Sequence, residues 1–141
     1  MVKNLKKILS LDQLKNKIIF EKNKNKKIIH CHGVFDLLHI GHIKYFRTAK
    51  KAGDFLLVSV TGDQYVNKGP GRPVFNQNLR AEMISSLEIV DAVYINDSTT
   101  AVNLIALIKP HVYFKGSDYK NIKQDKTKNI LREINTVEKF G

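Results

Sequence analysis

The stretch KIIHCHGVFDLLHIGHIKYFRTAKKAGDFLLVSV, Lys27 to Val60, decides the fold. KIIHCHGVF is a largely apolar run of the length of a buried strand. From His42 the apolar positions fall at helical spacing, Ile43, Phe46 and Ala49, and Gly53 marks the stop. A second apolar run, DFLLVSVTGD, follows at once. Strand, tight turn, helix and strand in that order form the unit from which parallel sheets are built.

The alternation continues downstream. NLRAEMISSLEIV reads as a helix with Leu79, Met83, Ile84 and Leu87 on one face, and DAVYIND as a strand. STTAVNLIALIKP reads as a helix ended by Pro110, and HVYFKG as a fourth strand. Four strands interleaved with helices predict an α/β fold: a single Rossmann-like domain whose parallel sheet carries helices on both faces. Upstream, SLDQLKNKI begins at Ser10 with Gln13 in the capping-box position, which predicts a first helix of about ten residues. Composition divides the chain into a basic N-terminal helix and linker over 1–26 and the remaining domain over 27–141. The one long irregular connection, Gly62 to Gln77, is of a length that is usually functional in a compact domain.

A chain of 141 residues, 43% hydrophobic and 26% charged, buries a sizeable core and reads as a soluble globular protein. No apolar run approaches the roughly 18 residues of a membrane span, and MVKNLKKILSLDQLKNK lacks the apolar centre of a secretory signal. The expected location is the cytoplasm, without a membrane partner. A single cysteine, Cys31, excludes an internal disulfide framework and a multi-cysteine metal site, and its place in a strand-like run makes it a small buried side chain. Of the net charge of +11, residues 1 to 27 supply +7, nine lysines against Asp12 and Glu21. These basic runs lack interleaved aromatic residues, so a nucleic-acid partner is not the favoured reading.

In open parallel sheets ligands bind beyond the carboxyl ends of the strands. Here those ends are GVFDLLHIGH, TGDQYVNKGPGRP, INDSTT and KGSDYK. In the first, Gly33 and Gly41 admit a close ligand, and the helix start offers free amides and the positive end of its dipole to an anion. His39 and His42 flank that start and can aim their rings at one phosphate, stabilising charge that builds during transfer. The alternatives are plain ones. His30, His32 and His111 read as packing residues, and a two-histidine metal site lacks an evident third ligand.

HIGH behind a GVFD strand end resembles the HxGH nucleotidyltransferase superfamily, whose signature is shared in part with class I aminoacyl-tRNA synthetases. The segments GVFDLLHIGHIKYFRTAKKAGDFLLVSV, NKGPGRPVFNQNLRAEMISSLEIVDAVYI and IKPHVYFKGSDYK most resemble the sugar-phosphate nucleotidyltransferase domain of bifunctional heptose kinase/adenylyltransferases. They are less similar to glycerol-3-phosphate cytidylyltransferase. The resemblance implies that a sugar phosphate attacks the α-phosphorus of a nucleoside triphosphate and pyrophosphate leaves, with Mg²⁺ accompanying the triphosphate. His39 and His42 match the signature histidines, Lys68 a loop base that reaches the phosphates, and Arg80 the arginine after that loop. Asp36 matches the position that orients loop and ligand. Gly33, Val34, Phe35, Gly41 and Asp63 match the nucleotide-binding surroundings, as do Lys115, Gly116 and Asp118 in KGSDY.

KGSDY in place of a GDDW-like run, and Glu88-Ile89 before Val90-Asp91 in place of an arginine, favour ATP over CTP. A Ser/Thr-rich ISTT-like turn of the family is missing where ILREINTVEKFG closes the sequence. The expectation is a domain truncated at its C-terminus, fused in the full-length chain to a sugar kinase domain. A homodimer is a further expectation, with Tyr65, Val66 and Phe75 as interface candidates. The reading from another class is a non-catalytic nucleic-acid or partner-binding module that uses the N-terminal lysines.

Overall fold

The computed structural model describes residues 6–114, so the expectations for Lys115, Gly116, Asp118 and the C-terminal run lie outside the described residues. Four strands, β1 (Ile28–Gly33), β2 (Phe55–Thr61), β3 (Ala92–Asn96) and β4 (Val112–Tyr113), form one parallel sheet in the order β3-β2-β1-β4. The register sets Ile28 beside Phe55 and Gly33 beside Val60. β2 is buried at all seven positions, which is why its sequence is continuously apolar rather than alternating.

Side chains alternate between two covered faces. Ile29, Cys31, Leu56, Val58 and Val60 point to helices α2 (Ile40–Lys50) and α3 (Gln77–Ser85), joining Phe46, Ala49, Ala81 and Ile84. Ile28, Phe55 and Leu57 point the other way, to α1 (Leu11–Asn23) and α4 (Val102–Ile108), where Leu14, Ile18, Leu104 and Ile108 complete a second cluster. Helices therefore lie on both faces, as the alternation of elements predicts.

The ends of the helices follow local chemistry. α1 starts at the expected capping box, with Gln13 N donating to Ser10 Oγ at 3.2 Å and Ser10 N to Gln13 Oε1 at 2.9 Å. It runs on to Asn23, longer than the pattern indicated, and the chain turns at Asn25 with φ 62°. α2 begins at Ile40 rather than His42, because His39 is its cap. α3 stops at Ser85, short of the apolar pattern, where the hydroxyls of Ser85 and Ser86 both turn back onto Glu82 O at 2.8 and 2.9 Å. α4 closes on Lys109 in the left-handed region, with Pro110 behind it.

The lysine-rich start of the chain is built into this layering. Leu14 and Ile18 are buried at 0% and 3% exposure, each worth about 2 kcal/mol of apolar burial. Ahead of α1, Lys7 and Leu9 bond to both sides of Val93, which covers the outer edge of β3. Strand order reverses between β1 and β4, and the crevice beyond their carboxyl ends is where such a sheet receives ligands. Among the described residues no helix is long and apolar enough to cross a membrane.

Candidate active site

The turn from β1 into α2 is held in a costly shape. Phe35 and Leu37 adopt φ 53° and 51°, a left-handed conformation costing roughly 1–2 kcal/mol at each residue with a Cβ. Packing and hydrogen bonds impose it. The Phe35 ring folds back over Gly33, where a Cβ would meet it at 2.9 Å, and lies 5.1 Å from the Phe46 ring. Gly33 is thus required by Phe35, whereas the sequence pointed to a ligand. Val34 contributes its carbonyl to the site through Arg80, described below.

At the N-terminus of α2 the two signature histidines cap the helix. Gly41 N donates to His39 Nδ1 at 3.0 Å, and His39 N donates to His42 Nδ1 at 3.1 Å, a capping box made of imidazoles. The rings stack with centroids 4.0 Å apart, and Phe35 supports His42 edge-on at 5.8 Å. An Nδ1 that accepts leaves the neutral ring's proton on Nε2, so each ring is fixed as an Nε2–H donor. Gly41 is needed for the same reason: a Cβ there would sit 2.7 Å from His39 Cε1. The amides of Gly41, His42 and Ile43 are all taken up by His39, so what this helix start offers an anion is a cradle of the two ring donors and the positive end of the helix dipole.

Asp36 ties the long connection to this turn. Its carboxylate accepts from Leu37 N at 3.2 Å, Val74 N at 2.6 Å and Phe75 N at 3.0 Å, and Arg72 Nη1 lies 3.5 Å away. Burial alone would raise the Asp36 carboxyl, but the three amides and the Arg72 guanidinium together outweigh it and hold the group below its ordinary value. The loop between the anchors carries Lys68, which is exposed, and Gly69 and Gly71 at φ 95° and 75°.

Arg80 is placed differently from the phosphate-holding fork that the resemblance implied. Its side chain is fully buried, with Nε on Phe75 O at 2.9 Å, Nη1 on Val34 O at 2.9 Å and Thr61 O at 2.8 Å, and Nη2 on Asp63 Oδ1 at 2.7 Å. Four of its five N–H groups are committed to protein oxygens. The guanidinium joins the ends of β1 and β2 to the loop. Asp63, expected beside the nucleotide, is the carboxylate partner in this strut.

Two other groups of polar residues occupy the carboxyl half of the sheet. On the α1/α4 face His30 Nε2 and His32 Nδ1 both lie 2.7 Å from Ser59 Oγ, with Thr61 Oγ1 3.4 Å from His32 Nε2. His30 and His32 are thus buried packing residues bridged by Ser59, as expected, and His111 Nδ1 accepts from Ile28 N at 2.9 Å. Beyond β2 and β3 an open cleft of about 540 Å³ is lined by Gly62, Asp63, Gln64, Tyr65, Gln77, Ile95, Asn96 and Asp97. Among the described residues no group of three or more His, Cys, Asp or Glu could hold a metal ion. Burial pushes the Cys31 thiol up to about 12, so it is no nucleophile.

A sequence model of the cytidylyltransferase-like family matches residues 30–139. The chain belongs to the cytidylyltransferase-like family. The protein named bifunctional protein HldE from Campylobacter fetus subsp. fetus (strain 82-40) is 40% identical over 135 residues, 94% of this chain and 28% of its own length. The bifunctional protein HldE of Aliarcobacter butzleri (strain RM4018) is 47% identical over 100 residues, 70% of this chain and 21% of its own. The crystal structure of the lipopolysaccharide core biosynthesis protein from Thermoplasma volcanium GSS1 superposes with a TM-score of 0.63 at 31% identity, covering 75% of this chain and 88% of that one. This cytidylyltransferase-like chain thus spans under a third of the HldE proteins it matches.

The resemblance read from HIGH, KGPGRP and KGSDY is the one these comparisons give. Motif reasoning missed Asn96, Asp97 and Gln64 in this cytidylyltransferase-like domain. The strand-end rule did single out INDSTT, but no residue type there announced a chemistry on its own. It also missed Ser59, whose role as a bridge follows from register with His30 and His32.

Proposed function

We infer that this domain transfers a nucleoside monophosphate from a nucleoside triphosphate to a sugar phosphate of the heptose-phosphate kind, releasing pyrophosphate. The observation that carries the reading is the paired Nδ1 acceptance of His39 and His42, which aims two Nε2–H donors from a helix N-terminus. A phosphate oxygen of the acceptor bonds to the α-phosphorus. The bond from that phosphorus to the bridging oxygen breaks, and pyrophosphate leaves with the electron pair. The two imidazoles donate to the α-phosphate oxygens as charge builds there. Mg²⁺ brought by the triphosphate would neutralise part of its charge. Lys68 reaches the phosphates from the exposed loop, while Asp36 and Arg80 set the positions of loop and turn. By the sequence resemblance, Lys115, Gly116 and Asp118 are assigned to nucleotide binding. No covalent enzyme intermediate is involved, so catalysis is positioning and charge stabilisation.

Relatives named bifunctional protein HldE, and a solved relative named for lipopolysaccharide core biosynthesis, support a sugar-phosphate acceptor. The KGSDY end favours ATP over CTP. In the full-length chain we infer fusion to a sugar kinase domain, and pairing of two copies through Tyr65, Val66 and Phe75. Four of the nine N-terminal lysines have partners within the fold, which favours the enzyme reading over the nucleic-acid one. Lys7 donates to Leu87 O, Lys22 to the carbonyls of Ile108 and Lys109, and Lys17 and Lys26 pair with Glu21.

Pyrophosphate release with ATP or CTP against heptose 1-phosphate or glycerol 3-phosphate tests the reading. Turnover is expected with ATP and heptose 1-phosphate, and His42→Ala should reduce it about 10²- to 10³-fold with an unchanged circular dichroism spectrum. Release in none of the four pairs, or full activity in His42→Ala, would overturn it.

A further inference from the structure

The cleft beyond β2 and β3 differs in chemistry from the histidine cradle, and the cradle's ligand does not account for it. Its polar lining is carboxylate and carboxamide: Asp63, Asp97, Gln64, Gln77 and Asn96, without a cationic side chain. One carboxylate, Asp63, already carries Arg80 on Oδ1, and the Gln77 carbonyl oxygen accepts from Asp63 N at 2.9 Å. That leaves the Gln77 amide NH₂ as a donor. Asn96, only 5% exposed, gives its Nδ2 to Thr100 O at 2.9 Å, so its carbonyl oxygen is the group it brings to the cleft wall. Asp97 is exposed at the rim and takes a long contact, 3.4 Å, from Gln64 Nε2.

Carboxylates repel a polyphosphate, and two acidic groups, one of them ion-paired, make no cage for a divalent cation. Acceptors and amide donors interleaved at this density suit hydroxyl groups, each of which donates once and accepts. We propose that this cleft is the subsite for the hydroxyl-bearing carbon chain of the acceptor sugar, with Asp97 as its principal acceptor. The proposal rests on the transfer reaction inferred above and names where the non-reacting part of that substrate sits.

Geometry links the subsite to the cradle. Neighbouring strands lie about 4.8 Å apart, so the end of β2 is one spacing and the end of β3 two spacings from the end of β1. That span, about 5–10 Å, matches a seven-carbon sugar whose phosphate meets the α-phosphate held at the histidines. Arg80 bonds Asp63 on one side and Val34 O on the other, so one buried group fixes the cleft wall relative to the end of β1. A vicinal diol is also present in the ribose of the nucleotide. The crevice at the β1/β4 reversal serves the nucleotide in this architecture, and the cleft is assigned to the acceptor.

Titration of the ¹⁵N-labelled full chain separates the sources. Heptose 1-phosphate is expected to shift the amides of Gly62, Gln64 and Asp97, and ATP those of Gly41 and His42. Asp97→Asn should weaken heptose 1-phosphate binding about tenfold through loss of a charge-assisted hydrogen bond, with ATP affinity unchanged or slightly improved, since a negative charge has gone. If heptose 1-phosphate leaves residues 62–64 and 96–97 unmoved, or ATP moves them instead, the subsite is wrong. So is it if Asp97→Asn binds the sugar phosphate as well as the parent does. The transfer reaction fails on different evidence, the absence of pyrophosphate release, so the two inferences fall separately.

Discussion

A methyl group on Gly41 would land 2.7 Å from Cε1 and 2.9 Å from Nδ1 of His39, so the ring would have to swing off the helix start. Gly41→Ala is expected to cost about 1 kcal/mol of capping energy, and at least ten times more in turnover than in acceptor affinity, because the lost element is a donor aimed at the reacting phosphate. Thermal melts beside pyrophosphate-release kinetics check both numbers. That His39 and His42 flank a helix start was legible in the sequence because the start is a local pattern; that their rings cap it, over two and three residues, appears only in the structure. Arg80 was legible as an important residue but not as a strut. Its partners Val34, Thr61, Asp63 and Phe75 come from separate loops that only the folded sheet brings together. The room at Gly33 was assigned to a ligand for a related reason, since a chain alone does not reveal that Phe35 doubles back with φ 53°.

Between elements, Asp36 anchors the loop that carries Lys68 to the turn before α2. Asp36→Asn keeps one acceptor oxygen but turns an NH₂ toward the amide of Val74 or those of Leu37 and Phe75, so roughly 1–3 kcal/mol of stability should be lost. Limited proteolysis should then cut first between Val66 and Arg72. The same tether gives a pH dependence. The folded carboxyl lies below its unfolded value of about 3.9, so its contribution is complete above that pH and disappears as pH falls through the folded value. Protease susceptibility of the loop should therefore rise below about pH 4 in the parent and be flat there in Asp36→Asn. A constant rate in the parent would refute the tether. The sequence marked this connection as functional by its length alone. The partners of the carboxylate, 38 and 39 residues onward, carry no pattern that periodicity can detect.

At the scale of the molecule, the parallel sheet with two covered faces was readable from apolar runs and stops, whereas the standing of the basic N-terminus was not. Composition set residues 1–26 apart, yet α1 supplies Leu14 and Ile18 to a core shared with β1, β2, β3 and α4. Lys22 caps the last carbonyls of α4, a use of positive charge that net charge cannot distinguish from a surface for phosphates. Leu14→Ala is expected to destabilise by about 2–5 kcal/mol, measured by denaturant unfolding, and a value below 1 would show α1 to be an appendage. Any test of nucleic-acid binding must accordingly substitute exposed lysines rather than delete the segment.

The order β3-β2-β1-β4 also governs how the protein is made. As the chain leaves the ribosome, β1 finds β2 early, but its other flank stays open until Val112 and Tyr113 emerge, after α2, α3 and α4. Tyr45 then fastens α2 to the new strand through Phe114 O at 2.5 Å. A half-translated chain thus already holds both signature imidazoles while lacking one wall of the crevice beside them.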